Sequence, residues 1–325
     1  MLGLGGPTFI SDWARAVARF ADVRCVTIVR RLPAGVEPKG RGCGVGAVDG
    51  FAVAFVRARR LRPSRLLWRL NARLEATAIV RAASLLGDPP PDILHSHFYA
   101  GSAGVPRAAA KLGIPYVVTE HSSSLATRHP RRYVSKQGLD VMSRVFEGAA
   151  LVLFVGREQL EAAEHLELHG RFAVVPNPLG EHIFAPGHMA DGVTRLVSVG
   201  HLIDRKRHDL LLQTFALVRS RHPKATLDIV GEGPRRAVLQ RIASQLGVES
   251  AVTFHGSVPR PIVAKILAGA SVYVHTSERE SFGVAIVEAL LAGVPVVTTH
   301  CGGVSSELPE HVAVAVDPPT PDALA

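Results

Sequence analysis

The stretch RLVSVGHLIDRKRHDLLLQTFALV, residues 195–218, runs from a short apolar strand through a basic loop into a helix-period segment. That unit repeats along the chain. Apolar strand segments at 23–30, 92–98, 115–121, 151–156 and 172–177 are followed by others at 195–200, 226–233, 251–256, 271–277, 295–300 and 312–317. Between them lie helical patterns such as 11–21, 208–221, 234–246, 260–269 and 283–292. Near-continuous apolar strands separated by helices predict parallel sheets covered on both faces. Residues 178–193, PLGEHIFAPGHMADGV, have Pro and Gly but no sustained period and read as an interdomain linker. The expected architecture is α/β, with two Rossmann-like domains facing a cleft: 1–178, a linker at 179–193, and 194–325.

Both ends read as incomplete. The chain opens on a Gly-rich turn running into a helix with no strand before it, and the tail DPPTPDALA stops where a helix would begin. The first strand of a doubly wound sheet is central, and removing it exposes two edges. A first strand and carboxyl-terminal helices are therefore expected to be missing.

The composition is that of a globular protein, 325 residues long with 47% hydrophobic and 20% charged residues. Cys25, Cys43 and Cys301 are scattered, which suits a reducing compartment and argues against a disulfide framework or a zinc site. No transmembrane run or signal peptide is evident, so a cytoplasmic location is expected. Residues 1–180 hold 24 of the 37 Lys and Arg against 14 of the 28 Asp and Glu, while residues 181–325 are nearly balanced. The basic half is expected to face an acidic partner or an anionic surface.

Lys206, flanked by Arg205 and Arg207, sits on the loop leaving the strand at 195–200. Ligands of open α/β sheets bind at that edge, where a lysine suits a diphosphate; a solvated basic loop is the plainer alternative. Gly231 and Gly233 in IVGEGP allow close backbone approach, and the strand exit at Gly256 offers backbone to a planar base. Glu280 and Glu288 lie in SERESFGVAIVEALLAGVPVV, residues 277–297. On one continuous helix they would stand ~12 Å apart, beyond the ~5–9.5 Å of paired glycosidase carboxylates. Ser281 and Gly283 instead predict a helix start, leaving Glu280 on the loop and the amides of Phe282 to Ala285 as an anion site. The pair then reads two parts of one elongated ligand, against the alternative of a capping acid and a solvated helix glutamate.

His121 ends the strand PYVVTEH, as a cleft group or as a satisfied strand-end histidine. His95 and His97 share one strand face, and no metal site is expected there. Residues 56–73 carry seven arginines and no acid, with Arg62, Arg65, Arg69 and Arg73 at helical spacing. This segment suits an anionic membrane surface or a lipid-linked pyrophosphate, or is a solvated helix face.

VGHLxxxK, VGEGP, F-x-G, E-S-F-G-x4-E-A-x-x-x-G-x-P-V-V and a following GG resemble glycosyltransferase family 4 over almost the whole chain. These are retaining enzymes of the GT-B fold that use nucleotide-sugar donors. The resemblance implies that Glu280 contacts donor-sugar hydroxyls, Glu288 the nucleotide ribose and Lys206 the diphosphate. Further donor contacts are expected at Gly231, Gly256, Phe282 and Gly283, from the strand exits and helix start read above. Gly5 and Gly6 match the family's Gly-Gly loop beside the donor phosphate and acceptor, and His121 its cleft histidine near the reacting sugar. The first domain becomes the acceptor domain and the second the donor domain. The family usually has Arg where this chain has His201, and Gly where it has Arg207, which leaves His201 or Arg205 to donate to phosphate.

The expected function is retaining transfer from a nucleotide-diphosphate sugar to a glycan or lipid-linked acceptor in cell-envelope polysaccharide synthesis. No cofactor or metal is expected, nor nucleic acid; the protein is expected on the inner face of the membrane or free in the cytoplasm. A nucleotide-sugar epimerase, a basic membrane- or nucleic-acid-binding module, and an inactive truncated transferase are the alternatives.

Overall fold

The computed structural model describes residues 8–29, 36–39, 43–57, 61, 67–127, 129–180, 183–187, 192–309 and 311–325. Gly5 and Gly6 lie outside them, as do Arg62 and Arg65. The chain divides into two compact units, Met1–Pro178 and Leu179–Ala325.

The first unit opens with helix α1 (Thr8–Ala18), then strands β1 (Cys25–Val29), β2 (Glu37–Pro38), β3 (Cys43–Val48) and β4 (Phe51–Arg57). These form a sheet in the order β1-β4-β3-β2, with β1 parallel to β4 and the other pairs antiparallel. The β3–β4 hairpin interrupts the expected all-parallel pattern. Its cause is Asp49-Gly50, both at positive φ (53° and 86°), the two-residue turn whose twist matches the flanking strands. Helix α2 (Trp68–Leu85) follows, and then a parallel sheet of β5 (Leu94–His97), β6 (Tyr116–Glu120), β7 (Leu151–Phe154) and β8 (Phe172–Val174), in that order. Helices α3 (Val105–Leu112), α4 (Lys136–Glu147) and α5 (Arg157–His165) connect them. Ser135 Oγ caps α4 by accepting from the Gly138 amide at 3.1 Å, and Val141, Val145 and Phe146 bury its inner face. Phe146, Phe154 and Phe172 meet edge to face at 5.3–6.2 Å in the core of this sheet.

The basic stretch 56–73 is not one helix. Val56 and Arg57 end β4, and the helix starts at Trp68, so only Arg69 and Arg73 share its helical spacing. Strand β4, paired with β1 on one side and β3 on the other, claims the start of the segment. Among the described residues, no helix is long and apolar enough to cross a membrane.

The second unit holds β9 (Arg195–Val199), α6 (His208–Arg221), β10 (Thr226–Val230), α7 (Arg236–Gln245), β11 (Val252–Gly256) and α8 (Arg260–Ala268). It continues with β12 (Val272–His275), α9 (Val284–Leu291), β13 (Val296–Thr299), β14 (Ala313–Val316) and α10 (Pro321–Leu324). The six strands lie parallel in the order β11-β10-β9-β12-β13-β14. Alternate side chains feed two cores. Leu196, Leu227 and Val274 pack with Leu211, Phe215 and Leu239 on one face, and Val197, Tyr273 and Val296 with Leu267, Ile286 and Ala289 on the other. Phe184, in the stretch expected as linker, is built into this second core at 5% exposure. Burying an aromatic or aliphatic side chain of this kind contributes about 1.5–3 kcal/mol.

From β9 the chain builds outward to β10 and β11, then returns to the other side of β9 for β12, β13 and β14. The strand order thus reverses between β9 and β12, and the crevice beyond their carboxyl ends is where such sheets bind ligands.

Candidate functional site

Two loops meet at that reversal. The loop leaving β9 carries Arg205 and Lys206, and the loop leaving β12 carries Ser277 and Glu280. They are stitched together by backbone and side-chain bonds. The Glu278 amide donates to the Arg205 carbonyl at 2.8 Å, and Thr276 Oγ1 donates to the carbonyls of Lys206 and Arg207 at 2.9 and 3.0 Å.

Four side chains converge on one oxygen of Glu280. Lys206 Nζ forms an ion pair with Oε1; Ser277 Oγ donates to it at 2.6 Å; His275 Nε2 lies at 3.1 Å and Arg205 at 3.4 Å. All four sit on Oε1, and Oε2 takes no side-chain partner among the described residues. Burial alone would raise this carboxyl, which is 7% exposed, but Lys206, His275 and Arg205 outweigh it and hold Glu280 well below the usual carboxylate range. The loop is pinned from the next strand by the Glu280 amide donating to the Cys301 carbonyl at 2.6 Å.

Helix α9 begins at Val284 with Gly283 as its N-cap, so Glu280 precedes the helix and Glu288 lies inside it. The first amides of such a helix have no acceptor within it and form a site of positive potential. Phe282 is buried, and its carbonyl accepts the Val304 amide at 2.7 Å, which holds the turn against the Gly302-Gly303 loop. Glu288 is 7% exposed and is neither a cap nor a solvated helix residue. Its Oε1 accepts from Arg260 Nε at 3.0 Å, with Arg260 Nη2 at 2.9 Å. Arg260 in turn lies 5.4 Å over the Phe184 ring.

Gly231 and Gly256 adjoin at the ends of β10 and β11, where the Gly231 amide donates to the Gly256 carbonyl at 2.9 Å. A Cβ on Gly231 would lie 2.0 Å from the Gly200 carbonyl oxygen, so the three strand ends touch through bare backbone. His201 is exposed on the loop after β9, its carbonyl accepting the Ile203 amide at 2.9 Å. Arg207 adopts a left-handed conformation, φ 48° and ψ 44°, and caps α6.

His121 belongs to the first unit. It is 5% exposed at the end of β6, its Nε2 lies 2.9 Å from His97 Nδ1, and Asn177 hydrogen-bonds to it. The rings of His95, His97 and His121 stack along the sheet edge at 4.6 and 5.2 Å, with Trp13 edge-on to His95 and its Nε1 donating to Asn177 Oδ1 at 2.9 Å. Burial, with the neighbouring histidines adding to it, lowers His97 to about 2; burial and His95 lower His121 to about 3. Both rings are neutral at ordinary pH. Among the described residues, no three His, Cys, Asp or Glu side chains are arranged to hold a metal ion. Beside them Glu120, fully buried, accepts from the Tyr99 and Ser122 amides, and burial pushes it up to about 7.

His275, Tyr273 and Ser277 were not singled out from the sequence. The signal is there: Tyr273, His275 and Ser277 fall at i, i+2, i+4, three hydrogen-bonding side chains in register on a strand that otherwise reads as apolar.

Residues 5–178 match a family model described as a glycosyl transferase 4-like domain, and residues 182–325 one described as glycosyl transferases group 1. The chain is 28% identical over 232 residues to a subunit of human phosphatidylinositol N-acetylglucosaminyltransferase, covering 70% of this chain and 47% of that protein. It is 29% identical over 278 residues to the putative teichuronic acid biosynthesis glycosyltransferase TuaC of Bacillus subtilis, covering 82% and 67%. The chain spans from about a third to about half the length of the first curated relatives it matches. Among solved structures, a sucrose-phosphate synthase of Thermosynechococcus elongatus aligns over 97% of this chain and 80% of its own, with a TM-score of 0.73 and 19% identity. Anabaena HepE in complex with UDP-glucose aligns over 83% and 74%, with a TM-score of 0.66 and 21% identity. These likenesses give the fold, that of GT-B glycosyltransferases.

Proposed function

The chain belongs to the glycosyl transferases that join a 4-like domain to a group 1 domain, and from that membership we propose that it is a retaining enzyme. It moves a hexosyl group from a nucleoside-diphosphate sugar to a glycan or lipid-linked acceptor of cell-envelope polysaccharide synthesis. The observation that carries the reading is the gathering of Lys206, Arg205, Ser277 and His275 around Glu280 at the strand-order reversal. A buried carboxylate beside two cations and a helix start fits a ligand with hydroxyls at one end and phosphates at the other. HepE is described with UDP-glucose and TuaC with teichuronic acid biosynthesis, which supports a nucleotide-sugar donor and an envelope acceptor.

In the reaction, the bond from the sugar C1 to the diphosphate oxygen breaks, and a bond from C1 to the acceptor oxygen forms on the same face. The acceptor proton passes to the departing diphosphate. Lys206 and the amides at the start of α9 take up the charge that grows on that leaving group. Glu280 is the counter-charge of Lys206 until a diphosphate arrives, and then holds sugar hydroxyls. Glu288 and Arg260 act farther along the donor, on the ribose side. His121, neutral and buried, is suited to hydrogen-bond the sugar rather than to carry charge. Residues 56–73 meet an anionic membrane or a lipid-linked pyrophosphate.

The test is a thermal-shift screen with UDP, GDP and ADP, followed by turnover of the matching sugar nucleotide with and without acceptor. Binding of one nucleotide and an acceptor-dependent product of retained anomeric configuration are expected. Loss of all nucleotide binding would overturn the reading, and an epimerised sugar nucleotide formed without acceptor would replace it.

A further inference from the structure

His275 is a buried titratable group at the strand reversal to which the transfer reaction gives no part. It ends β12 at 2% exposure, with both ring nitrogens engaged: Nε2 is 3.1 Å from Glu280 Oε1 and Nδ1 is 3.0 Å from the Tyr273 hydroxyl. The Tyr273 hydroxyl has one proton, and it also lies 3.3 Å from the Val199 carbonyl, which can only accept. When Tyr273 donates there, its lone pair faces Nδ1, and Nδ1 must donate. The Glu280 carboxylate likewise makes Nε2 a donor. A ring donating from both nitrogens is an imidazolium, balanced by Glu280.

The groups facing it come from four directions: Tyr273 on its own strand, Glu280 on the following loop, Lys206 and His208 from the β9–α6 connection, and Cys301 from the loop after β13. Burial alone would lower the ring. Nearby Cys301 and Glu280 outweigh burial and the Lys206 charge, and raise it above its ordinary value. His208, buried and beside Lys206, is lowered to about 3 and stays neutral, so it adds no competing charge.

The four partners of Glu280 Oε1 differ in how firmly they hold it. Lys206 and Arg205 reach it on long, flexible side chains, and an arriving diphosphate competes for them. Ser277 and His275 are short and are fixed by the strand end, so they stay when the cations move. We propose that His275 is a positioning residue for the donor sugar: with Ser277 it holds Glu280 by Oε1 and leaves Oε2 turned to the sugar hydroxyls. This rests on the reading of Glu280 as the donor-sugar contact.

The experiment compares wild type, His275→Asn and Tyr273→Phe by calorimetry, using UDP, GDP and ADP and their glucose and mannose esters. Wild type binds one ester more tightly than its bare diphosphate. In His275→Asn that preference falls about tenfold, the size expected for one charge-assisted hydrogen bond, while bare diphosphate affinity stays within about twofold. Tyr273→Phe, which keeps the core shape, shows a smaller loss in the same direction. Wild type loses the preference as pH rises through the raised histidine pKa, and His275→Asn is flat. Equal weakening of ester and diphosphate marks a merely structural role and overturns the proposal, as does an unchanged preference or an unchanged pH profile. If wild type binds no nucleotide at all, the donor reading fails and the positioning role fails with it.

Discussion

Glu280 and Glu288 stand eight positions apart in the chain and answer to different cations: Glu280 Oε1 to Lys206, and Glu288 Oε1 to Arg260. A catalytic acid and base would share one small site and be driven to different protonation states. Here each carboxylate is balanced by its own positive partner, one on the loop before α9 and one within the helix. The pair works as two grips, and the charge that drives catalysis belongs on Lys206 and the amides between them.

Lys206→Ala should reduce turnover by about 10²–10³-fold, the effect of removing one preorganised stabiliser of a developing anion. Arg205, His275 and Ser277 remain on Glu280, so the fold should survive with its circular dichroism unchanged. Activity within twofold of wild type would remove Lys206 from the diphosphate site.

Glu288→Ala should weaken the bare nucleoside diphosphate and its sugar ester by the same factor, unlike a change at Glu280. It also leaves Arg260, with its side chain 14% exposed, without this carboxylate. Breaking a buried pair this way costs up to ~3 kcal/mol, or a fall in Tm of roughly 6–12 °C for a unit of this size. Calorimetry on both ligands, with a melting curve, tests both parts.

Much of this second unit is legible in the sequence because its strands are buried on both faces and its helices are short and regular. Gly283 before an apolar run marks the start of α9, which puts Glu280 outside the helix. The partners of Glu280 are harder to see. Lys206, His275 and Cys301 come from three different strand exits, and only the order β9-β12-β13 brings them together. A sequence shows periods along one element, not which elements become neighbours. The β3–β4 hairpin is a different kind of miss. Asp49-Gly50 between two apolar runs is a strong local turn signal, overridden by the expectation of parallel strands throughout.

Acid should loosen the first unit. His97 and His121 fall from 6.5 to about 2 and about 3 on folding, so both are neutral in the fold. Below pH 6.5 the unfolded chain takes up protons that the folded chain refuses. Stability is therefore lost as pH falls from 6.5 toward those lowered values, by up to ~1.4 kcal/mol per pH unit for each ring. Both tryptophans, Trp13 and Trp68, lie in this unit, so urea unfolding followed by their fluorescence reports it alone. Glu120, raised from 4.5 to about 7, works against this and His95, lowered to about 4, adds to it, so the midpoint should fall between pH 6.5 and 5.5, and His97→Gln should flatten the slope by about one proton. His275 works in the opposite sense in the second unit: its raised pKa adds stability that is complete below 6.5 and is lost as pH rises through the raised value.

Two left-handed or unusual backbone positions beside the site predict opposite outcomes. Gly231 has φ 138°, and an added Cβ would meet the Gly200 carbonyl oxygen at 2.0 Å. Neither backbone can yield, because Gly200 donates its amide to the Val230 carbonyl at 2.9 Å and Gly231 donates to Gly256. Gly231→Ala should therefore cost at least ~2 kcal/mol and move the loop that carries Lys206. Arg207, at φ 48°, is a non-glycine residue at a left-handed cap, a conformation that costs about 1–2 kcal/mol for a side chain with a Cβ. Arg207→Gly removes that strain but adds ~0.5–1 kcal/mol of unfolded-chain entropy, so Tm should hold or rise by a few degrees. A large loss of stability in Arg207→Gly would show that its side chain, not its backbone, holds the β9–α6 connection in place.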